Sequence, residues 1–237
     1  MQQYSNEYSS YQSDVEVQQG LNAYISKVFM WMFIGLAVTA FVAFTISNSY
    51  SIMVFLINNT LLFFGLLIGE LILVSVLSRR IMKMQFQVAF GMFLLYAVLN
   101  GVTFSIIMIA YAAETIWSTF LITSVTFGIM ALYGRFTRTD LTQFRSILFM
   151  GLIGVAILSL VNIFLKSSPL GWIISIVGLF VFLGLTAYDT QKLKDYYYST
   201  DGQIELRKNL GVLGALALYL DFINLFLMLL RLFGRRK

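Results

Sequence analysis

The sequence contains no cysteine and no histidine. Disulfides, thiolate nucleophiles, zinc sites of the usual ligand type and every histidine-based triad are therefore excluded. Charge is also scarce, at 11% of 237 residues, while 59% are hydrophobic and the mean hydropathy is +0.83. A soluble domain does not have this composition, and the chain reads as an integral membrane protein. Lipid offers no partner to backbone N–H and C=O groups, so spans are helices or a closed barrel. No ten-residue units alternate with period two, which argues against a barrel. The net charge of +5 comes from short Lys/Arg clusters between apolar runs. Those clusters are topology signals, and nucleic acid is not an expected partner.

Spans follow from the charge-free intervals. Residues 28 to 69 carry no charge over 42 positions, which at about 1.5 Å per residue is roughly twice the hydrocarbon thickness. Two spans fit there, near Val28–Ile46 and Leu61–Ser78, with the break in the polar stretch Ser47–Thr60. Intervals 84–113, 115–134, 146–165 and 167–188 each fit one span, and 209–230 fits one interrupted by Asp221. The expected fold is all-α, with seven transmembrane helices. The longest loop is then some twenty residues, from Gln191 to Asn209.

Counting Lys and Arg near span ends gives eleven on the side of the N-terminus and five on the other. That imbalance predicts a cytoplasmic N-terminus. The C-terminal cluster "RLFGRRK" opposes it, and the last segment would sit more easily with its end inside. The polar start "MQQYSNEYSSYQSDVEVQQG" lacks a basic leader and a small-residue cleavage site, so it reads as an uncleaved cytoplasmic tail. The expected organisation is a disordered tail over 1–26, a seven-helix domain over 27–234 and a basic end over 235–237. Small residues at close-packing spacing (Gly65 with Gly69, Gly151 with Gly154, Gly211 with Gly214 and Ala215) are read as helix-packing positions.

Most acids fall in the tail or in loops. Glu70, Asp189, Asp195 and Asp221 stand near or within spans, where an ionised side chain is costly unless paired or hydrated. Asp195 follows Lys192 and Lys194 and reads as a solvated, headgroup-level charge. Asp221 lies thirteen residues after Lys208 and ten before Arg231, so it faces protein or a cavity. Asn224 shares its helix face. Asp189 takes its meaning from Asp221: two carboxylates close together in low dielectric hold one proton between them, a property of the pair. Such a pair is a pH switch. Arg79 and Arg80, at the same end of the bundle as Asp189, are candidates to lock it when ionised.

The segments "TAYDTQ" (Thr186–Gln191), "LYLDFINLFLMLLRLFG" (Leu218–Gly234) and "VNIFL" (161–165), with seven predicted helices, resemble the Bax-inhibitor, or transmembrane Bax inhibitor motif, family. The likeness covers roughly residues 20 to 234. It implies a last helix central to the bundle and a pH-sensitive calcium leak. It further implies that Asp189 and Asp221 are the pH-sensing pair, with Arg79 or Arg80 as the latch and Glu70 as the acid of the second span. Pairing Asp189 with Asp221 requires the last helix to extend by about two turns beyond the membrane.

The expected activity is a cation leak gated by Asp189 and Asp221, which would also meet the permeant Ca2+. Glu70, Asn224 and Asp195 would lie along the ion pathway, and there would be no permanently bound cofactor. Proton-coupled exchange and a non-conducting regulator that binds other membrane proteins are alternatives. An intramembrane aspartyl protease also pairs two aspartates. Here Leu218, Tyr219 and Leu220 occupy positions where its second motif needs glycine, and the only proline is Pro169, so no enzyme is expected. The expected location is a bacterial inner membrane.

Overall fold

The computed structural model describes residues 2–235, with side chains from residue 15 onward. The chain is an all-helical integral membrane protein. Its elements are α1 (Gln2–Ser47), α2 (Tyr50–Asn58), α3 (Thr60–Arg80), α4 (Phe86–Ala110), α5 (Ala113–Phe136), α6 (Arg145–Leu165), α7 (Ser168–Ser199) and α8 (Ile204–Phe233). Short 3-10 turns, Ile81–Lys83 and Leu141–Phe144, precede α4 and α6. Among the described residues seven helices are long and apolar enough to cross a membrane; α2, with nine residues, is not among them.

The break between the first two spans falls in the polar stretch Ser47–Thr60, where α2 folds as an extra short helix. Other expected boundaries need correction. Within the stretch 1–26, expected as a disordered tail, the described residues from Gln2 onward belong to α1. Within its described side chains, Leu21, Tyr24 and Ile25 are buried, because one apolar face persists beneath a polar surface. The long loop from Gln191 to Asn209 is likewise mostly helix. α7 continues to Ser199 and α8 begins at Ile204, leaving a four-residue turn in which Gly202 adopts a φ of 71°. Charge-free length measures the lipid-facing part of a helix, and enclosed helices need not stop at the lipid boundary.

α8 is the axis of the bundle. Seventeen of its residues are buried, among them Leu218, Tyr219, Asp221 and Leu225. Helices α1, α4, α5 and α7 pack directly on it, while α3 packs on α4 and α6 on α7, outside that first ring. Aromatic edges fill the seams: Phe93 and Tyr96 of α4 each stand edge-on to Tyr219, and Phe127 of α5 to Phe222. On α8 the small residues work as expected, since Gly211 lies against Trp31 and Tyr24 of α1, and Gly214 against Leu193 of α7. On α3 they do not: Gly65 and Gly69 face open space. Only Glu70 and Leu77 of α3 are buried among its residues, and α6 buries only Val155, so these two helices are the least embedded by apolar packing.

Candidate functional site

The antiparallel register of α7 and α8 is fixed by two contacts, Gly214 against Leu193 and Gly178 against Met228. It sets Asp189 opposite Leu218, about one turn from Asp221. Helical side chains lean toward the N-terminus of their own helix. In an antiparallel pair that tilt carries Asp189 and Asp221 toward each other, which closes the one-turn offset. Their carboxyl groups lie within hydrogen-bonding reach of one another. The continuation of α7 to Ser199 and of α8 back to Ile204 places both aspartates inside helices, where this tilt can act.

Asp221 is 4% exposed, and its Oδ2 has no protein partner. Asp189 is partly exposed and lies on the α8-facing stripe of α7 with Phe182, Thr186 and Leu193, all buried. The hydroxyls of Thr186 and Thr190 donate to carbonyls of their own helix, at 2.7 Å each, so they do not serve the pair. Two ionised carboxylates at this range would repel with no proton to bridge them, so the contact needs at least one proton on the pair. The cation that acts on Asp189 is Lys192, whose ammonium also lies over the rings of Tyr188 and Tyr196.

The expected arginine latch is not engaged. Arg79 and Arg80 are exposed at the end of α3 and, among the described residues, form no ion pair or hydrogen bond with either aspartate. Sequence proximity to the same end of the bundle was not enough, because α3 packs on α4 rather than on α7. Asp195 is exposed and stands apart from the pair. Asn224 is partly buried and donates to the Leu220 carbonyl of its own helix at 2.8 Å. Among the described residues no three acids cluster as metal ligands, so Asp189 and Asp221 alone do not make a calcium cage.

Glu70 belongs to a second polar centre that the sequence did not reveal. Thr103 Oγ1 donates to Glu70 Oε1 at 2.6 Å, and Asn100 Nδ2 donates to Oε2 at 3.3 Å. Tyr219 O–H donates to Asn100 Oδ1 at 3.1 Å, and Thr39 Oγ1 shares a 2.6 Å bond with the Tyr219 hydroxyl. Four helices, α3, α4, α8 and α1, are tied through these groups; the single Thr39 hydroxyl proton also has the Ala97 carbonyl of α4 within reach at 2.8 Å, so it serves either that carbonyl or Tyr219. A further tie lies at the end of α3, where Asn209 Nδ2 of α8 donates to the carbonyls of Ile81 and Met84. Tyr219, next but one to Asp221, was legible only as an apolar neighbour. The one available signal was Asn100, an amide isolated in an otherwise apolar span.

Residues 21–237 match the sequence profile of the family described as inhibitor of apoptosis-promoting Bax1. The chain belongs to this family. It is 49% identical over 227 residues to the inner membrane protein YbhL of Escherichia coli K12, covering 95% of this chain and 97% of that protein. A Borreliella burgdorferi protein is 42% identical over 216 residues (91% and 93% of the two chains), and a Streptococcus pyogenes serotype M3 membrane protein is 39% identical over 226 (94% and 96%). Membership of the Bax1-inhibitor family agrees with the resemblance carried by the Asp189 and Asp221 segments, and both segments fall inside the matched range.

Proposed function

We propose that the protein is a pH-sensitive cation leak, with calcium as its permeant ion, gated where α7 meets α8. The observation that carries this reading is the close approach of the Asp189 and Asp221 carboxyl groups in a buried seam. With one proton the pair carries a single negative charge, which attracts a passing cation or a nearby guanidinium. With two protons that charge is gone and the attraction is released. The latched state draws Arg79 or Arg80 toward the pair, and the arrangement described above is the unlatched one. α3 is suited to this movement because only Glu70 and Leu77 of its residues are buried, and its basic end lies beyond the Glu70 tie.

Calcium favours six to eight oxygen ligands, roughly, and two carboxylates supply at most four. The pair therefore suits transient contact with a moving ion, as conduction requires, rather than tight retention. Asp221 is flanked by fully buried Leu218 and Tyr219, which leaves no room for the approach of a peptide substrate and disfavours proteolysis. The name of the Escherichia coli relative supports an inner-membrane location, and the Lys/Arg imbalance supports a cytoplasmic N-terminus.

Calcium uptake into proteoliposomes, measured from mildly acidic to mildly alkaline pH, tests the reading. The intact protein is expected to leak more as pH falls, and Asp221→Asn and Asp189→Asn are each expected to flatten that response. An unaltered pH profile in both variants would refute the gate. Flux that depends on an opposing proton gradient would replace the leak with exchange.

A further inference from the structure

The seam between α1 and α5 is open. The two helices are bridged by a hydrogen bond from Arg135 to Asn22 Oδ1, at 2.7 Å, and by the edge contact of Phe29 with Phe127. Between them lies a cavity of about 610 Å³, with Phe29, Phe33 and Leu132 in its walls and Phe222 of α8 as its floor. A second cavity, of about 430 Å³, continues toward the other end of α1 and meets the first at Phe222. Along α1 the two run from Ile25 to Phe44, about 28 Å at 1.5 Å per residue and close to the hydrocarbon thickness. Each cavity therefore corresponds to one leaflet.

The two halves differ in charge. The second cavity contains no ionisable side chain in its lining. The first has Arg135 at its end, and Ser26 and Ser124 in its walls. A guanidinium has five N–H donors, and among the described residues Asn22 Oδ1 is the one hydrogen-bond acceptor that meets this one. Lys194 of α7 is close enough for its charge to act with that of Arg135, while exposed Asp195 stands beside Lys194. An apolar slot for a chain, open to lipid and ending in cationic donors, complements an amphiphile with an anionic phosphate head.

We infer that the Arg135 end of the α1–α5 seam is a binding site for one anionic phospholipid of the adjoining leaflet. Its phosphate engages Arg135, with Lys194 adding charge, and its acyl chain lies against Phe222. The occupant thereby packs on the residue next to Asp221. This site is independent of the gate proposed above.

Gly128 supplies the means of testing it. A Cβ added at Gly128, which lines the cavity, meets nothing within 4 Å, so a side chain starts there in open space and Gly128→Phe projects a ring into the slot. The full chain would be placed in nanodiscs of equal phosphatidylglycerol and phosphatidylcholine, then released, and its retained lipids would be counted by native mass spectrometry. The intact protein is expected to retain phosphatidylglycerol over phosphatidylcholine by about tenfold, as one charge-assisted hydrogen bond sustains. Arg135→Gln should bring the two lipids near parity, and Gly128→Phe should remove the retained lipid. Ala40→Phe, in the uncharged cavity, should leave the preference unchanged. Equal retention by the intact protein, retention undiminished in Gly128→Phe, or a protein chain held in the seam in place of lipid would each overturn the proposal.

Discussion

Two buried acid centres meet α8 less than a turn apart, one through Tyr219 and one at Asp221, and they are built in opposite ways. Glu70 is surrounded by neutral donors: Thr103, Asn100 and, through Asn100, Tyr219 and Thr39. The groups that donate to the carboxylate, Thr103 and Asn100, are neutral and keep their protons across pH, so these bonds need no proton from outside. Asp221 faces another carboxyl group and has an oxygen with no protein partner. Its one satisfactory arrangement depends on a proton taken from outside. A carboxylate served by fixed donors holds helices together, whereas one served by a second carboxylate senses pH.

Substitutions that preserve shape break this comparison most cleanly. The largest effect is expected at the pair. Asp221→Asn should make calcium flux at neutral and acidic pH converge, because the neutral amide no longer titrates, while the thermal midpoint of the purified protein moves little. Tyr219→Phe comes next. It leaves Asn100 Oδ1 without its donor and Thr39 without a partner on α8, at a cost of about 1–3 kcal/mol, read from thermal or denaturant unfolding in detergent. Glu70→Gln sharpens the contrast. Its amide places a donor against a donor, costing about 1 kcal/mol, yet the pH dependence of flux should survive. Loss of that dependence would move Glu70 from holding to gating.

The smallest effect belongs to Asp140, an exposed acid that caps the 3-10 turn Leu141–Phe144. Its Oδ1 accepts from the Thr142 hydroxyl and amide, which holds its carboxyl below the ordinary aspartate range. The contribution of a carboxyl lowered in this way is present above its unfolded pKa and is lost as pH falls through the folded one. Through neutral and mildly acidic pH the cap is therefore constant and cannot imitate the gate. Asp140→Asn should leave the flux profile unaltered and change only the hydrogen exchange of the Thr142 amide.

The sequence made the seven spans legible because lipid demands unbroken apolar length, and Asp221 stood out because nothing nearby on its helix reaches water. The enclosure of α8 came from the family resemblance, since its composition matches that of lipid-facing helices. The ends of α1, α7 and α8 were misjudged where polar residues cover a buried stripe, as at Leu21 and Leu193. Arg79 and Arg80 were assigned by end of the bundle, a one-dimensional criterion that cannot say which neighbour α3 packs against. The Glu70 network was hidden for a similar reason, because Asn100 and Tyr219 are 119 residues apart and meet only after folding.

Infrared difference spectroscopy of the protonated carboxyl band, followed across pH in reconstituted protein, tests the central claim most directly. If Asp189 and Asp221 share a proton, the intact protein titrates in two separated steps. Each single Asn variant then loses both steps and gains one new step of its own. Should Asp189 titrate identically whether residue 221 is Asp or Asn, the two acids are independent and the gate does not exist.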